Sequence, residues 1–280
     1  MTPMHRCPVA ILGSGDLGTD LRAKILSRGG ALTVGAPADD DVEIVFDAGE
    51  SGAQAGWGER GVRVLDLGPA AAGPHCVPAV NIDEHLGAPY LNMGTWGAQA
   101  GAPIVAAVGQ VATVSYAEVV CALSASSTGP RARAGIDEFI ETTVSAVQSV
   151  GGARRARAVL ILNPADPPIA ARTTVYCLVG GDVSQPAITG SVGAMVDRVN
   201  TYVPGYRLKQ RVQFETFSAA APLYLPETGS FTGTRLTVLL EIVAVSDHLP
   251  DHAGALDIMS SAAVATAERV ASTRTTDATA

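Results

Sequence analysis

Pro8-Val-Ala-Ile-Leu12 runs straight into Gly13-Ser14-Gly15-Asp16-Leu17-Gly18, and the fold follows from how that junction is read. The first five residues are apolar and β-prone, a buried strand. After the glycines, Leu17, Leu21 and Ile25 recur at helical spacing, and Gly29-Gly30 ends the run as helices often end. A GxGxxG pattern alone is weak. Between a strand and a helix it becomes a dinucleotide-binding turn. One glycine makes the bend, one lets a pyrophosphate approach the backbone, and one lets the helix pack on the sheet.

Outward from this turn, Ala31–Val34, Asp41–Phe46 and Gly61–Leu67 read as further short strands. Strand and connection alternate as in a parallel α/β sheet. The texture changes after Ala102. Tyr116–Ser124, Arg157–Leu162, Thr174–Val179, Tyr206–Phe214 and Thr234–Val245 are strand-like, with helices near Ile136–Val150 and Gln185–Asn200. Long strands with few crossover helices predict a mixed or antiparallel sheet. Ala255–Val270 closes the chain as a helix, and the Thr- and Ala-rich tail after Ser272 is expected to fray.

The composition narrows the function. A net charge of −8 argues against nucleic acid, which needs a cationic face. Aromatic residues are 5%, too few for stacking platforms. No apolar run reaches the roughly 18–20 residues needed to span a bilayer. Cys7, Cys76, Cys121 and Cys177 show no CxxC spacing, so buried thiols in a reducing cytoplasm are expected rather than a disulfide or metal site.

Several stretches resemble the acylating acetaldehyde dehydrogenases, partners of hydroxy-oxo-acid aldolases. They are AILGSGDLGTDL (10–21), LDLGPAAAGPHCVPAVNIDEHLG (65–87), NMGTWGAQA (92–100), STGPRARAGIDEFIETT (127–143), GGARRARAVLILNPADPP (151–168), YVPGYRLKQRVQF (202–214) and LDIMSSAAVATAER (256–269). The resemblance runs nearly end to end. It implies an α/β fold with a Rossmann-like parallel-sheet domain over 1–94, completed by a helix at 255–272. An α+β substrate and dimerisation domain over 95–254 follows, and 273–280 is tail. It also implies a homodimer, an aldolase partner, and cleft-lining loops at PHCVPAVN, NMGTWGAQA and NPADPP.

The chemistry the resemblance implies is missing its agents. The family's nucleophilic cysteine corresponds to Trp96, and an indole cannot form a thioester with an aldehyde carbon. The family's acid–base aspartate corresponds to Thr173, which does not titrate near neutrality. The nicotinamide cofactor is expected to be held poorly. Gly13, Ser14, Gly15, Asp16, Leu17 and Gly18 keep the phosphate turn. The connection between Val34 and Val42, however, is too short for the helix and strand that follow in a full Rossmann half. Asp39 and Asp40 are the acids left to reach a ribose. The nicotinamide-side loop keeps Ser127, Thr128 and Gly129, but its terminal asparagine is Gly135, and a second cofactor-side asparagine is Ala255.

Trp96, Thr173, Gln99, Asn163, Arg131 and Arg133 are the candidate pocket residues, the two arginines as holders of an anionic group. His75, where the family often has tyrosine, is read as packing. Two functions remain open, and the first, a biosynthetic role, is preferred because the cleft-lining loops stay well formed. One is a repurposed enzyme that cyclises, isomerises or eliminates on a small-molecule substrate in the interdomain cleft without NAD or coenzyme A, or a ketone or imine reductase that still uses NAD(P). The other is a non-catalytic scaffold.

Overall fold

The computed structural model describes residues 6–36, 41–48, 54–68, 72–125, 135–226, 229–246 and 248–277. A five-stranded parallel sheet has the order β2-β1-β3-β4-β5. Its strands are β1 (Cys7–Leu12), β2 (Leu32–Val34), β3 (Ile44–Asp47), β4 (Arg63–Asp66) and β5 (Tyr90–Asn92). Helix α1 (Asp16–Arg28) follows β1 and is closed by Gly29 in the left-handed conformation. Two one-turn helices, α2 (Gln54–Trp57) and α3 (Pro78–Asn81), lie in the later connections.

The shortening expected from the sequence is visible in the strand order. The chain leaves β2, returns across β1 and enters β3 on the other side. Among the described residues the sheet ends at β2, where a full Rossmann half carries another strand.

The second sheet has the order β10-β13-β8-β6-β7, with β9 also on β13. Its strands are β6 (Val114–Ser124), β7 (Ala156–Asn163), β8 (Ala171–Val179), β9 (Tyr206–Leu208), β10 (Gln213–Phe217) and β13 (Gly233–Ile242). Only β6 and β7 run parallel, so the sheet is mixed. A separate hairpin joins β11 (Leu223–Leu225) and β12 (Gly229–Phe231). Helices α4 (Trp96–Gly109), α5 (Ile136–Ser149), α6 (Gln185–Asn200) and α7 (Gly254–Asp277) complete the architecture.

Three expectations need correction. The single strand expected at 206–214 is two, because polar Lys209, Gln210 and Arg211 interrupt the run. The pieces pair with opposite ends of β13. The last helix continues past Ser272 to Asp277 instead of fraying there. NMGTWGAQA is not a loop: its first residue ends β5 and Trp96 begins α4. Twelve residues of α4 are buried, as expected of a helix that is apolar all round.

Helix α7 is tied to α1 by a buried ionic cluster. Lys24 Nζ sits between Asp20 and Asp257, 2.6 Å from Asp257 Oδ1 and closer still to Asp20. It also donates to Ser260 Oγ at 2.7 Å, and Ser260 in turn donates to Asp20. Both carboxylates are almost fully buried. Removing the cation alone would leave two desolvated negative charges facing one another. Lys24→Met is expected to lower stability by about 3–5 kcal/mol, read by urea unfolding at fixed protein concentration. A loss under about 1 kcal/mol, the range of exposed pairs, would show that solvent screens the cluster.

Candidate functional site

Thr95 and Gly94 set up the site. Gly94 has φ +63°, a left-handed bend that turns the chain out of β5. Thr95 then caps α4, its Oγ1 accepting from Ala98 N at 3.0 Å. The same hydroxyl meets Thr143 Oγ1 at 2.7 Å, which fixes the start of α4 against α5. The side chain at 96 is therefore the first of a fourteen-residue helix. A thiol at such a position would be favoured as thiolate by the helix N-terminus.

The residue there is Trp96, and its indole is 9% exposed. It lies in the main apolar cluster and packs on Phe139 of α5, ring centroids 5.9 Å apart and planes tilted by 42°. Close beneath are small residues. A Cβ on Gly97 would come within 2.7 Å of Cys121 Sγ and 3.0 Å of the Phe139 ring. Gly97 thus lets β6 and α5 close up around the first turn of α4.

Thr173 is buried in the middle of β8, opposite Cys121 of β6 and Leu240 of β13. Its Oγ1 has no partner at full hydrogen-bonding geometry, and the facing Cys121 thiol is only a weak one. Trp96 and Thr173 are thus linked through Gly97 and Cys121. Gln99, one turn along α4, is a tie: its Nε2 donates to Cys76 O and to Met93 O, both at 2.8 Å. Its Oε1 is buried without a hydrogen-bond partner. Asn163 stands apart at the end of β7, where its Oδ1 accepts from Ala165 N at 2.9 Å. Ser127, Thr128, Gly129, Arg131 and Arg133 lie outside the described residues, as do Asp39 and Asp40.

Burial pushes Cys76, Cys121 and Cys177 up to about 12, so each is a neutral thiol near pH 7 and not a nucleophile.

The nucleotide turn keeps its shape. Gly13 has φ +120°, and a Cβ on Gly18 would stand 2.1 Å from Gly13 O, so only glycine fits there. Ser14, Gly15 and Asp16 are exposed. This cradle fits a pyrophosphate. The two ends of a dinucleotide fare worse. The sheet stops at β2, Gly135 heads α5 without a side chain to offer, and Ala255 opens α7 with a methyl group. Among the described residues the turn fits the centre of the cofactor, and Gly135 and Ala255 bring no side-chain amide to it.

Sequence reasoning missed one polar pair at the rim. His75 Nε2 lies 3.1 Å from Ser145 Oγ of α5. Burial holds the ring's pKa below its ordinary value, partly opposed by Asn92. The signal available was a histidine in a Gly-Pro turn, read as packing.

Residues 96–250 match the family model described as prokaryotic acetaldehyde dehydrogenase, dimerisation. The chain is 56% identical to "Probable inactive acetaldehyde dehydrogenase 1" of Mycolicibacterium vanbaalenii, over 97% of this chain and 96% of that one. That alignment extends over 304 positions, more than the 280 residues here, so the relative carries residues that this chain lacks. It is 46% identical to "Acetaldehyde dehydrogenase 1" of Cupriavidus necator, over 95% and 96% of the two chains. Among solved structures, aspartate semialdehyde dehydrogenase II of Vibrio cholerae aligns with a TM-score of 0.59 over 95% of this chain and 97% of that one. At 14% identity this is a likeness of fold.

The packing of Trp96 generates a quantitative expectation. A buried indole on Phe139 acts as a plug, so Trp96→Ala should cost about 3–5 kcal/mol in chemical unfolding. A cost below about 1 kcal/mol would show that the ring lines an open, solvated cleft.

Proposed function

The chain belongs to the prokaryotic acetaldehyde dehydrogenase family, and from that premise we propose that it is a homodimeric, non-catalytic subunit that has given up acylating oxidation. The observation that carries this reading is Trp96, buried against Phe139 where the thiolate would stand. The resemblance to aldolase-partner enzymes makes a hydroxy-oxo-acid aldolase the natural partner for such a subunit. Four buried free thiols fit a cytoplasmic setting. In this reading 1–94 with 255–272 form the nucleotide-binding unit and 95–254 the pairing unit.

The second sheet supplies the support for pairing. Helix α4 packs on one face, through Gly97 over Cys121 and Gly101 over Val119. The other face brings Val159, Val120, Thr174 and Leu239 into one row across β7, β6, β8 and β13. The next row runs from Ile161 through Ala122 and Arg172 to Glu241, which Arg207 holds at 2.9 Å. These residues remain partly exposed, Ile161 by 45%. An apolar centre beside paired charges is the composition of a surface meant to be covered.

The enzymatic alternatives draw on one observation, the intact shape of Gly13–Gly18. It favours a ketone or imine reductase with a weakly held nicotinamide over a cofactor-free cyclase or isomerase. Both need an open cleft where Trp96 is packed.

Two measurements test the proposal together. With acetaldehyde, coenzyme A and NAD, no NADH should form. Turnover on the order of 10 per second, an ordinary enzyme's rate, would refute it. Light scattering should give twice the chain mass of 28.5 kDa, and a clean monomer would remove the pairing face.

A further inference from the structure

The hairpin of β11 and β12 leaves the second sheet where β10 meets β13, at the facing pair Phe217 and Gly233. Gly233 has φ +138°, and a Cβ there would stand 2.5 Å from Val179 O and 2.8 Å from the Phe231 ring. Glycine therefore sets the angle at which this arm departs. Leu223 lies opposite Phe231, and Tyr224 opposite Ser230. Leu223, Leu225 and Phe231 share one half-buried face, while Tyr224 on the other is 70% exposed. Among the described residues, no hydrogen bond or ion pair ties 219–230 to the rest of the chain beyond the bond from Ala221 N to Ser218 O at 3.0 Å. A two-stranded hairpin standing alone is marginal in water and needs a covered face.

The arm is rooted on the same side of the sheet as the pairing face. Arg235 alternates with Leu239 and Glu241 onto that side of β13, and Phe217 and Tyr176 lie on it too. The Arg235 guanidinium spans the two, 5.8 Å from the Tyr176 ring and 5.5 Å from the Phe217 ring, while it pairs with Glu215. From 216 to 226 no residue carries a charge. On a chain of net charge −8, this is a stretch that a second copy can approach without like-charge repulsion. The apolar centre across Val120, Val159 and Leu239, with Ile161 45% exposed, offers the matching kind of surface.

We propose that 218–231 is a clasp, centred on Tyr224, that closes over a second copy of this chain. The inference rests on the chain pairing through its second sheet, and it adds which segment reaches across. A tyrosine suits the role. Its ring brings a large contact area at little cost in lost rotamers, and such residues carry much of the binding energy of protein interfaces.

The test uses the full chain, its Tyr224→Ser variant, and a variant in which Asn-Gly replaces 218–232. Because Phe217 and Gly233 face one another, a two-residue turn closes β10 onto β13. Circular dichroism checks that both variants keep the fold. In sedimentation over a range of concentrations, Tyr224→Ser should raise the dimer dissociation constant about 10- to 30-fold, the loss of one interface anchor, and removal of the arm should raise it further. Hydrogen exchange in wild-type peptides from 218–231 should slow as the concentration passes that constant. A wild-type dimer whose affinity neither variant changes overturns the clasp and leaves pairing through the sheet standing. So does an arm that exchanges as fast in the dimer as in the monomer. Wild-type protein that stays monomeric at every concentration overturns the pairing itself, and the clasp with it.

Discussion

Helix α4 can occupy the middle of this molecule only because its side chains are small where neighbours press closest. A Cβ on Gly101 would meet Val119 at 2.8 Å, and one on Gly97 would meet Cys121 at 2.7 Å. With those two positions bare, the helix settles onto β6 while α5, α6 and α7 close around it. Other ties converge on the same element. Tyr206 Oη donates to Ala100 O at 2.8 Å, Ser191 Oγ donates to Ala107 O at 2.7 Å, and Gln99 draws in the Cys76 and Met93 carbonyls. Trp96, where the resemblance puts a nucleophile, is the first residue of this helix, so its side chain has a fixed place.

That fixity explains how the chain tolerates a large change in chemistry with its scaffold intact. Exchanging a thiol for an indole adds apolar volume at a spot already bordered by Phe139. The ring finds a partner, and the area it buries adds to the core. The loss of a titrating group at Thr173 is similarly quiet, because a threonine suits a buried strand position in a way that an uncompensated carboxylate does not. Trp96 and Thr173 are both residues that the packing accepts.

Much of the first sheet was legible in the sequence, because strand, glycine turn and helix each leave a local pattern and agree at 8–25. The missing strand beyond β2 was legible too, as a connection too short to hold it. Helix α4 was not. Its residues are apolar or small at every position, so no helical stripe stands out, and Gly97, Gly101 and Pro103 look like breakers. The break at Lys209–Arg211 was hidden because β13 is long enough to pair with a strand on either side of it. Trp96 and Thr173 were singled out through motifs that resemble the family's, and both are buried in the structure. The reading of Gln99 as a ligand contact missed its bonds to two carbonyls distant in sequence. The His75–Ser145 pair was invisible for the same reason, since seventy residues separate its members.

In the proposed function, acylating oxidation was given up at several places at once and not at one. The most direct measurement is NADH formation from acetaldehyde, coenzyme A and NAD by the Trp96→Cys variant, with its fold verified by circular dichroism. A thiol at the start of α4 still faces a threonine at 173, with glycine at 135 and alanine at 255, so no turnover is expected. Recovery of aldehyde oxidation by this single change would contradict the account, because the thiol would then be the one thing the scaffold lacked.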